Sequence, residues 1–277
     1  MCEFCTQHGE GKKWYLNAEN YATELLHDLN RRDFIRSFYD RIIRKGIQSI
    51  PRLERLFARS PGIKQRIVRE YTEQMKKSHF GQVLPKEDVH AILSRAHSIV
   101  RMTCACRWET ERKEGRSCFG ISFGPPHWYD EVDVHYFGNP DVSSFEKLTS
   151  DEAKRSIEEL DGKGMVHSVW TFQTPFIGAV CNCDMTYCLA MKTTCQLNMT
   201  TMFRAEVTAE IGADRCTGCR ACVEKCQFAA IRYDESARTC VVDQTKCFGC
   251  GVCRSACEHD AIVLMDRAGH PVSGTIW

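Results

Sequence analysis

Cys216, Cys219, Cys222 and Cys226 follow one another as C-x2-C-x2-C-x3-C, and Cys247, Cys250, Cys253 and Cys257 repeat that spacing. Thiolates this close on one loop suit an iron–sulfide cubane, and in such paired runs the fourth Cys of each ligates the other cluster. The expected ligand sets are therefore Cys216, Cys219, Cys222 with Cys257, and Cys247, Cys250, Cys253 with Cys226, for two 4Fe–4S clusters. The offset extends beyond the cysteines. Ala230-Ile231 recurs as Ala261-Ile262, and Asp214-Arg215 precedes the first run as Thr245-Lys246 precedes the second. An internal repeat is a stronger signal than one motif. Zinc favours two separated C-x2-C pairs, which this spacing does not supply.

From about Glu210 to Arg267 the sequence resembles the bacterial two-cluster ferredoxins. That resemblance implies a small fold of β-hairpins and short helices, with two clusters close enough to pass single electrons. Proline usually follows the fourth Cys of each run; Gln227 and Glu258 stand there instead. A carboxylate at Glu258 is expected to disfavour electron uptake beside Cys257.

Eighteen cysteines is a high count, and the eight above leave ten. Cys104, Cys106 and Cys118 form one group, and Cys181, Cys183 and Cys188 another. Each contains a C-x-C pair, which suits ligands arriving at the tip of a strand with other segments completing the site. A third metal centre built from both loops is expected, with an iron–sulfur cluster as its occupant. Four ligands suffice for one cluster, so up to two of the six are spare. Cys195 and Cys240 stand alone and read as core cysteines. Cys2, Cys5 and His8 form C-x2-C-x2-H, three soft ligands for zinc or iron if a fourth joins them, or else a free terminal thiol pair. Lys12-Lys13-Trp14 reads as a solvated basic turn, and His167 as a hydrogen-bonded structural residue.

Nearly the whole chain resembles a group of 4Fe–4S ferredoxin-like proteins of anaerobes. The resemblance rests on Met1-Cys2-Glu3-Phe4-Cys5, on His8 to Leu16, on Cys104-Ala105-Cys106-Arg107, on Gly164 to His167, and on Cys181-Asn182-Cys183 ahead of the closing ferredoxin. Many members continue the Cys-Asn-Cys with further adjacent cysteines; here Asp184 follows, and Cys188 is the next thiol.

At 277 residues the chain has room for a ferredoxin unit and about two more units. The expected class is α+β: a helical N-terminal region over 1–82, a cysteine-rich α+β domain over 83–204, and a ferredoxin domain with a tail over 205–277. Phe34, Ile35, Phe38, Ile42 and Ile43 mark an amphipathic helix, and Pro51 and Pro61-Gly62 are expected to punctuate the helical region. Pro85 to Asp88 opens another helix, and Ser150 is expected to cap a third that ends near Gly162. Val166 to Val180 reads as a hairpin turning at Gln173-Thr174-Pro175, so that helix and hairpin together suggest a small winged-helix-like unit.

There is no basic and apolar leader and no run of 18 apolar residues, and clustered thiols need a reducing compartment, so a cytoplasmic location is expected. No dinucleotide fingerprint or P-loop is present. Net charge is +1, but Arg31 to Lys77 holds 14 Lys/Arg against 5 Asp/Glu, and Asp130 to Asp161 holds 10 Asp/Glu against 3 Lys/Arg. Such faces orient docking of a redox partner. The basic helices also admit peripheral membrane contact. They lack a helix-turn-helix pattern, so no nucleic-acid partner is expected, although a redox sensor touching nucleic acid is a third reading. The expected function is single-electron transfer to or from a partner oxidoreductase. The alternative is a reductase whose own metal centre lies between Cys104 and Cys188, beside His127, His135 or His167.

Overall fold

The computed structural model describes residues 13–16, 37–78, 81–124, 145–171 and 177–276. Cys2, Cys5, His8, Phe34, Ile35, His127, His135 and the Gln173-Thr174-Pro175 turn lie outside the described residues. Helices and strands are mixed, as expected for an α+β chain.

A π-helical turn, Tyr39–Arg44, runs into α1, Lys45–Arg59, and Pro61 opens α2, Pro61–Ser78. Pro51 does not punctuate this region; it lies inside α1. An interior proline removes a hydrogen bond and costs about 3 kcal/mol. The apolar stripe on both sides of it offsets that cost, because Ile43, Ile50 and Phe57 are buried together with Leu189, Leu197 and Met199. Pro61, by contrast, sits at the first position of α2, where its missing N–H costs nothing.

The central element is a six-stranded antiparallel sheet in the order β1-β5-β6-β3-β2-β4. Its strands are β1, Gly81–Leu84; β2, Ser98–Met102; β3, Cys118–Ser122; β4, Glu146–Leu148; β5, Val166–Thr171; and β6, Ile177–Cys183. The expected hairpin is β5–β6, but it lies within this sheet and not in a small winged unit. Between the strands run α3, Lys86–Leu93; α4, Ala105–Glu111; and α5, Ser150–Gly162. Thr149, one residue before the expected cap, closes a capping box with Glu152, which satisfies two backbone N–H groups of the first turn.

Side chains alternate between sheet faces, and the two faces differ in kind. One face carries Leu84, Ile99, Phe119, Ile121, Val169 and Val180, packed with Val89, Ile92 and Leu93 of α3 and Ala153 and Ile157 of α5. Trp14 and Tyr15 belong to this core. The Trp14 Nε1 donates to Gln82 Oε1 at 2.6 Å, and Lys13 pairs with Asp88 at 2.7 Å. Lys13 and Trp14 are thus anchors and not parts of a solvated turn. The other face carries Val83, Val166, Trp170 and Ala179 together with Cys118, Cys181 and Cys183, and its core continues without a break into the C-terminal region.

After α6, Leu189–Cys195, the chain forms β7, Val207–Ile211; α7, Ala221–Lys225; β8, Ile231–Asp234; β9, Thr239–Val242; α8, Val252–Ser255; and β10, Ile262–Asp266. The strands pair as β7–β10 and β8–β9. The sequence repeat is also a backbone repeat. Left-handed residues recur in step: Gly218 and Gly249, Arg220 and Gly251, Ala229 and Asp260.

Candidate iron–sulfur sites

Within the C-terminal region the eight cysteines divide between two hollows. One, of about 300 Å³, is lined by Cys216, Cys219, Cys222 and Cys257. The other, of about 350 Å³, is lined by Cys226, Cys247, Cys250 and Cys253. Each hollow therefore takes three thiols from one run and the fourth from the other. The backbone aims N–H groups at the crossing thiols in the same way on both sides: Ala230 donates to Cys226 Sγ at 3.3 Å and Ala261 to Cys257 Sγ at 3.4 Å. Burial pushes the Cys222 and Cys253 thiols up to about 12, so both resist ionising unless a cation takes the charge.

Cys240 is only 2% exposed, as expected of a core cysteine, but it also lines the first hollow, and its N–H donates to Cys216 Sγ at 3.4 Å. Only burial in the tertiary structure reveals this place. Cys219 is the one exposed thiol among the described cysteines. Glu258 is exposed too, where solvent screens its charge.

Two arginines that sequence reading missed hold the backbone of Cys247, one of the thiol residues of the second hollow. Arg204 Nη1 and Arg267 Nη2 both donate to the Cys247 carbonyl, at 2.7 and 3.0 Å. Neither is ion-paired to a carboxylate among the described residues. Arg204 Nε and Arg267 Nη1 are buried without a hydrogen-bond partner. Burial lowers both pKa values, that of Arg267 to about 10. Arg204 also donates to the Thr245 carbonyl at 2.8 Å, and Arg267 to the Ala205 and Val207 carbonyls at 2.6 and 2.9 Å. Two cations bonded to the backbone of Cys247, without a carboxylate partner, fit an anionic group such as a thiolate-bound iron–sulfur cluster nearby.

The structure brings the other six cysteines together on the thiol-bearing face of the sheet. Cys104 caps α4 and Cys188 caps α6. The neighbouring Cys106, Cys118 and Cys183 push the Cys104 thiol well below the ordinary thiol value. Cys118 faces Cys181 directly across the β3–β6 register. Arg107, which follows Cys106, ties the two loops together. Its Nη2 reaches Asp184 Oδ2 at 3.4 Å, and its guanidinium lies 4.4 Å from the centre of the Tyr187 ring. Asp184, which follows Cys183, thus holds an arginine. Cys195 ends α6, the helix that Cys188 opens, and burial pushes it up to about 11. Among the described residues no three His, Cys, Asp or Glu side chains converge tightly enough for a single metal ion.

His167 points to the opposite face. Its Nδ1 bonds Asn182 Oδ1 at 2.7 Å, Asn182 Nδ2 donates to the Ser117 carbonyl at 2.7 Å, and its Nε2 lies 3.7 Å from Asp161 Oδ1. This is the structural role expected of it, and it does not line the thiol site.

Residues 215–262 match the family model described as the 4Fe-4S dicluster domain. The C-terminal region is ferredoxin-like. That match supports an iron–sulfur electron-transfer role and implies a redox partner. No curated protein matches the chain. No helix among the described residues is long and apolar enough to cross a membrane.

Proposed function

We propose that the chain is a polyferredoxin-like electron-transfer subunit that serves a partner oxidoreductase. It would hold two 4Fe–4S clusters on the eight C-terminal cysteines and a third iron–sulfur centre on the sheet. When bound, each cluster takes up and releases one electron at a time. The observation that carries this reading is the continuity of one buried core through all three thiol groups.

The order of the groups follows from exposure and contact. Cys219 opens the first hollow to solvent, so a partner would dock there. Cys247 in the second hollow is clamped by Arg204 and Arg267, and Gln227, next to Cys226, is bonded to the loop between Cys183 and Cys188. The sheet thiols are therefore the inner end of the chain of sites. Two arginine charges favour an extra electron at the second site over the first. Zinc or iron at Cys2, Cys5 and His8 remains part of the proposal, in a segment outside the described residues.

Anaerobic purification followed by iron analysis and EPR of the reduced protein tests this reading. About twelve iron per chain with three signals is expected, at four per cluster. About eight iron would remove the third centre, and fewer than about four would remove the relay.

A further inference from the structure

α1 and α2 meet at Ser60, whose backbone at φ −141 and ψ 80 is not helical. Two exposed large apolar side chains flank this junction: Leu56 is 36% exposed and Ile63 40%. The inward side of the two helices is filled by Leu53, Phe57, Ile67, Val68 and Tyr71, and neither Leu56 nor Ile63 belongs to that core. A lone exposed Leu or Ile is ordinary. Two at one bend, set among cations, form an apolar tip with a charged collar.

From Arg52 to Arg69 there are six Lys/Arg, namely Arg52, Arg55, Arg59, Lys64, Arg66 and Arg69, against a single acidic residue, Glu54. Arg52, Arg55, Leu56 and Arg59 recur at i, i+3, i+4 and i+7, so they share one face of α1, and all four are exposed. Ile63 and Arg66 are three apart on α2 and are both exposed. Of the six cations, only Arg66 has a carboxylate partner among the described residues: Glu70, at 4.0 Å, in a pair open to solvent. Arg55 bonds the Pro51 carbonyl of its own helix, and Lys64 lies 5.9 Å from the Phe57 ring. So large an excess of positive charge calls for an anionic partner. Nucleic-acid phosphates would satisfy the arginines but offer nothing to Leu56 and Ile63, and the aromatic residues of this segment, Phe57 and Tyr71, pack inward, where they cannot stack on bases. The surface of a bilayer takes both groups, with headgroup phosphates for the cations and the acyl boundary for the apolar side chains.

We propose that the α1–α2 junction docks the chain on an anionic lipid surface, with Arg52, Arg55, Arg59 and Arg66 at the headgroups and Leu56 and Ile63 inserted at the headgroup–acyl boundary. The contact is peripheral, since no helix among the described residues is long and apolar enough to cross a membrane. Binding of this kind sums headgroup attraction and shallow apolar insertion, so it requires both the arginines and the two apolar side chains. The contact uses none of the thiols, so its failure would leave the electron-transfer reading untouched. Joined with that reading, it would bring the carrier to a membrane-bound oxidoreductase.

The test uses the full chain, purified anaerobically and sedimented with vesicles of mixed phosphatidylcholine and phosphatidylglycerol, with pure phosphatidylcholine vesicles as the comparison. Binding to the anionic vesicles alone is expected, and it should weaken as salt is raised. Each cation near an anionic surface strengthens binding about fivefold, so R52Q/R55Q/R59Q should weaken it about a hundredfold. L56S/I63S keeps all six cations and should weaken it about tenfold through lost insertion. Both variants alter only exposed side chains, and urea midpoints equal to that of the unaltered protein show that they are folded. Equal binding to neutral vesicles, or binding that either variant keeps in full, overturns the proposal. A chain that ignores anionic vesicles but retards a DNA duplex on a gel is a nucleic-acid binder, and one that ignores both keeps these cations for an acidic protein; either result also overturns it.

Discussion

The Gln227 side-chain carbonyl accepts a hydrogen bond from the Met185 backbone N–H at 3.0 Å, while its Nε2 donates to the Gly164 carbonyl at 3.3 Å. Gln227 stands where two-cluster ferredoxins usually carry proline. A proline side chain has no polar atom to make either bond, so the departure from the family pattern fastens the ferredoxin-like region to the loop between Cys183 and Cys188. Replacing Gln227 with Ala is expected to cost roughly 1–2 kcal/mol, as two ordinary hydrogen bonds would, without loss of iron. Urea unfolding of the two proteins checks this, and equal midpoints would count against the fastening role.

The arginine pair at Cys247 leads to an expectation about potentials. R204Q and R267Q each remove a buried positive charge, so the reduced form of one cluster loses stabilisation. One of the two ferredoxin-type EPR signals should titrate at a lower potential, by about 59 mV for each tenfold change in the one-electron equilibrium. The other should stay in place. Equal shifts in both signals would show that the charges act on the whole region and not on one hollow.

Gly249 lies between Cys247 and Cys250 at φ +73, and a Cβ there would collide with the Val207 carbonyl oxygen. Left-handed strain alone costs about 1–2 kcal/mol, and the clash with backbone adds to it. G249A should therefore lose about four iron per chain, while G62A, whose added Cβ meets nothing within 4 Å, should keep its full content. Iron analysis of the two variants decides the matter.

Arg107 is expected to matter for the sheet thiols and not for the ferredoxin-like region. R107Q frees Asp184 and Tyr187 and should lower iron by up to about four per chain, leaving both ferredoxin-type signals. R107K keeps the charge but not the planar stacking on Tyr187, so its loss should be smaller. Identical losses in the two would indicate that charge plays no part.

Asp161 carries the clearest pH expectation. Burial opposes its ionisation, but His167 and Lys86 outweigh burial and hold its pKa below the model-compound value of 3.8. A carboxylate depressed in this way contributes stability that is complete above 3.8 and is lost as pH falls through the lower folded value. The penalty of D161N should therefore be largest near neutral pH and shrink below pH 3.8. Urea midpoints of both proteins across that range check the sign, and a penalty that grows on acidification would contradict it.

The residues that belong to one short loop were legible in order. Each C-x2-C-x2-C-x3-C run sets its own thiol spacing, and the repeat of Ala230-Ile231 as Ala261-Ile262 announces two equivalent halves. The helices opening at Lys86 and near Ser150 were also legible, because caps and apolar periodicity are local. What joins distant segments was not. Pro51 sits within a helix because burial of Ile50 and Phe57 against α6 outweighs a local penalty. Arg204 and Arg267 belong to no local motif, and only folding brings both to the carbonyl of Cys247. Cys240 reads as filler until β9 places it in the first hollow. The sequence by itself determined which thiols can ligate, since that depends on spacing along the chain. That Cys118 faces Cys181 was decided only by the tertiary structure, because strand register, not chain spacing, sets which residues of β3 and β6 meet.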